Sequence, residues 1–355
     1  MTLLADQPTT RFRAVDDLTA TEPAEARGLR RDEVRMLVAR PSGVSHRRFH
    51  DLPGELEPGD LVVLNTSQTV AAEFDAVREG GERIVVHLAT ELDGGDRVIE
   101  LRTAPDGAEP VLTAAAGEIV QAGPGLDFRL FLPYPDGGGS PTGTGTRLWR
   151  AEVLGTTPVA DHLARHGRPI SYGYLTGRRP LADYQTVFGR HPGSAEMPSA
   201  GRPFTAELIT ALIARGVGVA PILLHTGVSS QEAGEPPQPE RFAVGAMTAE
   251  LVNATRHRGG RIVAVGTTVT RALESATDRG GRVHPRAGWT ELVLGGHRPV
   301  RVVDGLITGW HNPDASHLLL VESVAGADLA QQAYDAAVAH RYRWHEFGDS
   351  GLFLP

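Results

Sequence analysis

Residues 261–275 read Arg261-Ile262-Val263-Ala264-Val265-Gly266-Thr267-Thr268-Val269-Thr270-Arg271-Ala272-Leu273-Glu274-Ser275. The run Arg261–Val265 has the apolar character of a buried strand. Gly266 lets the backbone turn sharply. Thr267 and Thr268 then offer hydroxyls and free amides at the start of a helix expected over 268–277. A strand that feeds straight into a helix is the building unit of an α/β sheet. The start of such a helix suits a carboxylate or a phosphate. Taken in isolation, Thr267 and Thr268 are plain helix caps, and Arg271 with Glu274 a surface ion pair.

The same alternation continues on both sides. Helices are expected over 205–215, with Thr205 as N-cap and Gly216 as the stop, over 248–258, 317–324 and 329–340. Strands are expected over 217–225, 292–294 and 300–303. Upstream, 34–39, 46–49 and 61–64 read as strands. From about residue 71 the pattern shifts to short alternating segments such as Arg83–Leu88 and Val98–Arg102, separated by Gly, Asp and Pro. That spacing predicts a small antiparallel barrel or sandwich. Residues 136–146, DGGGSPTGTGT, read as a flexible loop within it. The expectation is a discontinuous, barrel-like α/β main domain, 1–70 and 150–355, with a largely parallel sheet. A small β-barrel domain, 71–149, is inserted into it.

Composition removes whole classes of function. With 41% hydrophobic and 22% charged residues the chain is ordinary globular protein. It has no cysteine, so disulfides and thiolate-held metals are excluded. It has no lysine either, which excludes a Schiff-base lysine and a P-loop lysine. No apolar run spans a bilayer and the N-terminus does not read as a signal peptide, so a cytoplasmic protein is expected. A net charge of −8 argues against non-specific DNA binding. The fourteen histidines show no close-spaced metal pattern, and no metal is expected.

Chemistry is expected where strands end and helices begin. Three junctions carry polar residues: Leu224-His225-Thr226-Gly227-Val228-Ser229-Ser230, the Gly266 turn, and Thr308-Gly309-Trp310-His311-Asn312-Pro313. A histidine after a buried strand is, by itself, more often structural than catalytic.

These junctions, in this order, resemble the S-adenosylmethionine:tRNA ribosyltransferase-isomerase family of queuosine biosynthesis. The resemblance runs from about Arg31 to Phe353. It includes Asp51-Leu52-Pro53, Pro58-Gly59-Asp60-Leu61, Asp183-Tyr184-Gln185-Thr186-Val187-Phe188, Pro198-Ser199-Ala200-Gly201, Leu224-His225-Thr226-Gly227, the run from Arg261, Val302-Val303-Asp304-Gly305, and Phe347-Gly348-Asp349. Each motif is weak; the ordered set is specific. It implies a ribosyl transfer from S-adenosylmethionine, used as substrate, to 7-aminomethyl-7-deazaguanine in tRNA. Adenine and methionine leave, and no metal takes part. The sulfonium acidifies a C5′ hydrogen, so a base is needed, and imidazole suits the task. His225 and His311 are the candidates, with Asp349 to orient one of them or to bind a ribose hydroxyl. Thr267, Thr268 and Arg271, with Gly227 and Gly266 shaping the loops, would hold the methionyl carboxylate or a phosphate. Tyr184 and Trp310 would stack on a purine.

The chain departs from the family pattern at several points. Arg202-Pro203-Phe204 stands where the family usually has Leu-His-Phe. Glu196 replaces a usually small residue, and Pro236-Pro237-Gln238-Pro239-Glu240-Arg241 lacks the family's paired histidines. A free 7-deazapurine or nucleoside acceptor is therefore an alternative to tRNA, and a ligand-binding paralogue without turnover is a third reading.

Overall fold

A computed structural model of the protein describes residues 7–13, 18–135, 145–229, 235–313 and 315–355. The strands among these are β1 (Arg35–Arg40), β2 (Gly43–Arg48), β3 (Leu61–Asn65), β4 (Ser67–Thr69), β5 (Glu73–Arg78), β6 (Arg83–Glu91), β7 (Arg97–Thr103), β8 (Ile119–Gly123), β9 (Leu126–Pro133), β10 (Leu148–Gly155), β11 (His191–Ser194), β12 (Gly218–Leu224), β13 (Glu240–Val244), β14 (Ile262–Val265), β15 (Arg286–Thr290), β16 (Gly305–Gly309) and β17 (Ser350–Phe353). Nine of them form one sheet in the order β15-β13-β12-β3-β14-β16-β17-β1-β2, and β10-β7-β6-β5-β8-β9 close into a barrel. A mixed α/β main unit and an inserted antiparallel barrel are thus both present. The main sheet has two edges, β15 and β2.

Burial on both faces explains the centre of the sheet. β3 and β14 are buried at every position. Leu61, Val63, Ile262, Ala264 and Leu306 enter one core cluster, together with Val269, Ala272 and Leu273 of the helix Thr267–Ser275. Their neighbours Val62, Leu64, Val263, Val265 and Ile307 enter the other, against Leu208 and Leu212 of the helix Ala206–Ala214. That two-residue alternation into two apolar layers is what a sheet covered by helices requires. Thr205 caps the latter helix as expected, accepting from the Leu208 amide at 3.1 Å.

The sheet is mixed, not largely parallel. β12, β3, β14 and β16 run parallel, but β17 is antiparallel to β16, and β13 and β15 continue antiparallel from β12. The expected strands at 292–294 and 300–303 do not form. Their backbone groups are claimed by side chains. Glu274 Oε1 accepts from the amides of Arg301, Val302 and Val303 at 2.8, 2.9 and 3.3 Å, and Arg271 Nε donates to the Leu292 carbonyl at 3.1 Å. The barrel's last strand extends to Gly155, so the boundary expected at 149/150 falls inside a strand. Most of the expected loop 136–146 lies outside the described residues.

The barrel encloses Phe74, Ile84, Val86, Ile99, Leu101, Phe128, Leu130 and Trp149. It is sutured to the rest of the chain through Glu73, whose backbone exchanges hydrogen bonds with Arg168 at 2.8 and 2.9 Å. Its buried carboxylate also pairs with Arg168, Arg178 and His87. Those contacts outweigh burial and hold the Glu73 carboxyl down at about 2.

Glu274 is 1% exposed, and its carboxylate is the acceptor for a whole loop. Glu274→Ala is expected to lower the unfolding free energy by about 3 kcal/mol, because buried amides lose their acceptor. Denaturant titration would show this as a lower midpoint at unchanged slope; a shift below about 0.5 kcal/mol would contradict the assignment.

Candidate functional site

The parallel strands β12, β14 and β16 all end at one cavity of about 240 Å³. Thr226, Gly227, Val228 and Ser229 reach it after β12, Gly266, Thr267 and Thr268 after β14, and Gly309, Trp310 and His311 after β16. The three junctions therefore converge. Residues 196–200 and the pair His345-Glu346, just before β17, complete the wall.

Gly266 takes φ +91°, a region L side chains rarely adopt, and a Cβ there would lie 3.2 Å from Ala200 Cβ. The turn points the start of the helix Thr267–Ser275 at the cavity, with no side-chain cap on it. Arg271 also lines the cavity, but it is not available as an anion receptor. It pairs with Glu240 and donates to the carbonyls of Leu292, Gln238 and Thr290 at 3.1, 3.1 and 3.2 Å. Nor is it on the helix surface with Glu274: both are buried.

His311 faces the cavity. Its ring stacks on His317 with centroids 4.6 Å apart, and its Nε2 lies 3.0 Å from Thr308 Oγ1. Burial, then His317 and His345, holds His311 well below the usual imidazole range. Burial and Arg271 bring His317 down to about 4. Both rings are neutral near pH 7, as a base must be before it accepts a proton.

Three of the other expected site residues, His225, Asp349 and Tyr184, lie outside the cavity. His225 does not line the cavity. Its Nδ1 is 2.7 Å from Ser67 Oγ, which in turn is 2.6 Å from Ser194 Oγ. His225 thus tacks the end of β12 to β4 and β11. Asp349 accepts from the amides of Arg35 and Arg343 at 2.8 Å each and pairs with the Arg35 guanidinium. It fastens the entry of β17 to β1. Tyr184 is buried against Phe347, outside the cavity. Trp310 touches the wall, but its ring is enclosed by Tyr334, Tyr342, Trp344 and Phe353, leaving no face for a purine. Several arginines that could present a basic face are engaged in ion pairs: Arg47 with Glu55, Arg178 with Glu73, Arg179 with Glu22 and Arg261 with Asp60.

Sequence reasoning missed several cavity residues. Tyr172 and Tyr174 stack at 6.1 Å, and Tyr174 stacks on His345 at 4.8 Å, making an aromatic ladder along one wall. His345 holds this place with φ +68°, an unusual conformation for a non-glycine residue. Glu196 accepts from the Ser229 amide at 2.8 Å, from the Ser229 hydroxyl and from Tyr172. Burial pushes the Glu196 carboxyl up against those bonds. Burial, then the charge of Glu196, pushes Glu346 up to about 8. The departure at Glu196 was the one signal in the sequence that pointed here.

Fold and cavity together define an α/β protein with a polar site at converging strand ends. A family model described as queuosine biosynthesis protein matches residues 9–353. The chain belongs to that family. An S-adenosylmethionine:tRNA ribosyltransferase-isomerase of Nitrobacter winogradskyi is 37% identical over 350 residues, covering 92% of each chain. Its namesake in Symbiobacterium thermophilum is 37% identical over 348 residues, covering 95% of this chain and 96% of that one. The crystal structure of an S-adenosylmethionine tRNA ribosyltransferase from Thermotoga maritima superposes with a TM-score of 0.52 at 29% identity, over 97% of this chain and 99% of that one.

Glu346 gives a pH test of the site. Its folded value lies above the ordinary 4.5, so its ionisation opposes folding once pH exceeds 4.5, and the cost levels off above about 8. Glu346→Gln is expected to stabilise the protein by about 3 kcal/mol at pH 7 but by only about 1 kcal/mol at pH 5. Chemical denaturation at both pH values checks this; an equal effect at the two would refute the burial of an ionisable Glu346.

Proposed function

We propose that this chain transfers and isomerises the ribosyl unit of S-adenosylmethionine onto 7-aminomethyl-7-deazaguanine in tRNA, in the cytoplasm, with release of adenine and methionine. The observation that carries this is the match to relatives of that name over more than nine-tenths of both chains. The converging loops supply a setting for it. His311 takes the C5′ proton next to the sulfonium, being neutral, within the cavity and held by Thr308. The uncapped helix start at Gly266, Thr267 and Thr268 receives the methionyl carboxylate, where free amides and the helix dipole favour an anion. Gly227 brings its loop's backbone to the wall. The ladder of Tyr172, Tyr174 and His345 offers flat faces to a purine or deazapurine ring, the task expected of Tyr184 and Trp310. Arg271 serves this site indirectly, by holding Glu240 and the 290–292 carbonyls in place.

The test is incubation of the protein with S-adenosylmethionine and tRNA carrying 7-aminomethyl-7-deazaguanine, with adenine followed by chromatography. One adenine per modified base is expected; no adenine with this acceptor rejects the reading. His311→Gln should slow adenine release by roughly 10²-fold or more, the usual contribution of a positioned base. An unchanged rate in that variant removes His311 from the mechanism.

A further inference from the structure

Carboxyl groups outnumber free cations in the cavity. Glu196, Glu240 and Glu346 all line it, and Arg271 is committed to Glu240 and to backbone carbonyls. The wall histidines His311, His317 and His345 are all held below their ordinary range by burial. Two carboxyl side chains therefore meet the cavity without a counter-ion within it. They differ in how they are held. Glu196 is locked by Ser229 and Tyr172, while its own carbonyl accepts from Thr226 Oγ1 at 2.5 Å. Glu346 is not locked: its Oε2 is inaccessible and has no hydrogen-bond partner. A buried polar atom left without a partner is costly, and such atoms recur where a ligand completes the bonding. The groups facing Glu346 are Glu196, Tyr172, Tyr174, Tyr184 and Arg202. Arg202 lies behind it, spent on Glu25 and on the Asp183 carbonyl at 2.9 Å.

We infer that Glu196 and Glu346 together form the subsite that receives an alkylammonium group of a substrate. The aromatic ladder beside them adds faces that also attract a cation. When the ammonium enters, Glu346 gives its proton to solvent and becomes the second negative partner, while Glu196 remains the fixed one. The identity of the ligand rests on the reaction proposed above. Both its substrates carry this chemistry, the donor in its α-amino group and the acceptor in its aminomethyl group.

Calorimetry separates the two sources. S-adenosylmethionine and free 7-aminomethyl-7-deazaguanine are each titrated into the full chain at pH 7, in buffers of different ionisation heat. One of them is expected to bind with release of close to one proton per site. Glu346→Gln should abolish that release and weaken the same ligand roughly tenfold or more, and Glu196→Gln should weaken it comparably. The matching ligand without its amine should bind wild type and variants alike. Because Glu346→Gln is expected to gain stability, loss of affinity in it cannot be laid to unfolding. If the amine ligand binds both variants within about twofold of wild type, with no change in protons, while wild type still releases adenine, the subsite is refuted and the reaction stands. If wild type binds neither ligand, both fall.

Discussion

At Gly266 the chain leaves a strand buried at every position and turns at φ +91° into the helix Thr267–Ser275. The Gly266 amide still donates to the Ile307 carbonyl at 2.8 Å, so the turn begins while the β14–β16 ladder is intact. That constraint fixes both where the helix starts and which way its buried face looks. The face carries two charged side chains, Arg271 and Glu274, and each organises a loop that has no sheet partner. Arg271 gathers Gln238, Glu240, Thr290 and Leu292, while Glu274 caps the amides of 301–303. One strand–turn–helix unit thus supplies the floor of the cavity and braces one side of it.

The local code for this unit was plain in the sequence. An apolar run, a glycine and two threonines specify strand, turn and helix start with no help from tertiary contacts, and the same holds for Thr205 and its helix. The change of period near residue 71 likewise marked the barrel. What could not be read was the fate of short apolar segments. Val300–Val303 has a strand's composition, but Glu274, 27 to 29 positions away, takes the amides of 301–303. The side-chain direction of His225 was equally illegible, because it depends on Ser67 and Ser194 arriving from other elements. Convergence of three junctions was legible from chain order; which side chain at each junction faces inward was not.

The same distinction separates acids that hold the fold from acids that meet the cavity. Asp60 accepts from the amides of Glu57 and Arg261, Asp304 from that of Ile262, and Asp349 from those of Arg35 and Arg343. Each joins segments distant in sequence, and each lies in a motif shared with the resemblance described above. A carboxylate in that role resists replacement because no other side chain offers two acceptors of that reach and charge. Asp349 shows why a polar residue in a specific motif is not thereby catalytic.

Glu196 and Glu346 obey a different constraint. Glu196 accepts only from groups at the cavity wall, the Ser229 amide and hydroxyl and the Tyr172 hydroxyl, and the Oε2 of Glu346 accepts from none. Placing both in one partly enclosed pocket works against folding, since like charges there cannot both ionise without cost. The surroundings lean the same way: burial drives the imidazoles down, the tyrosines Tyr172 and Tyr174 up, and Glu346 up, so nearly every group on the wall favours its neutral form. A pocket of neutral but ionisable groups is poised for whichever charge a ligand brings. With its lone guanidinium already spent, this pocket can answer a positive charge far more readily than a negative one, except at the helix start beside Gly266. That polarity, an anion received at one end and a cation at the other, is complementary to a zwitterionic aminoacyl group.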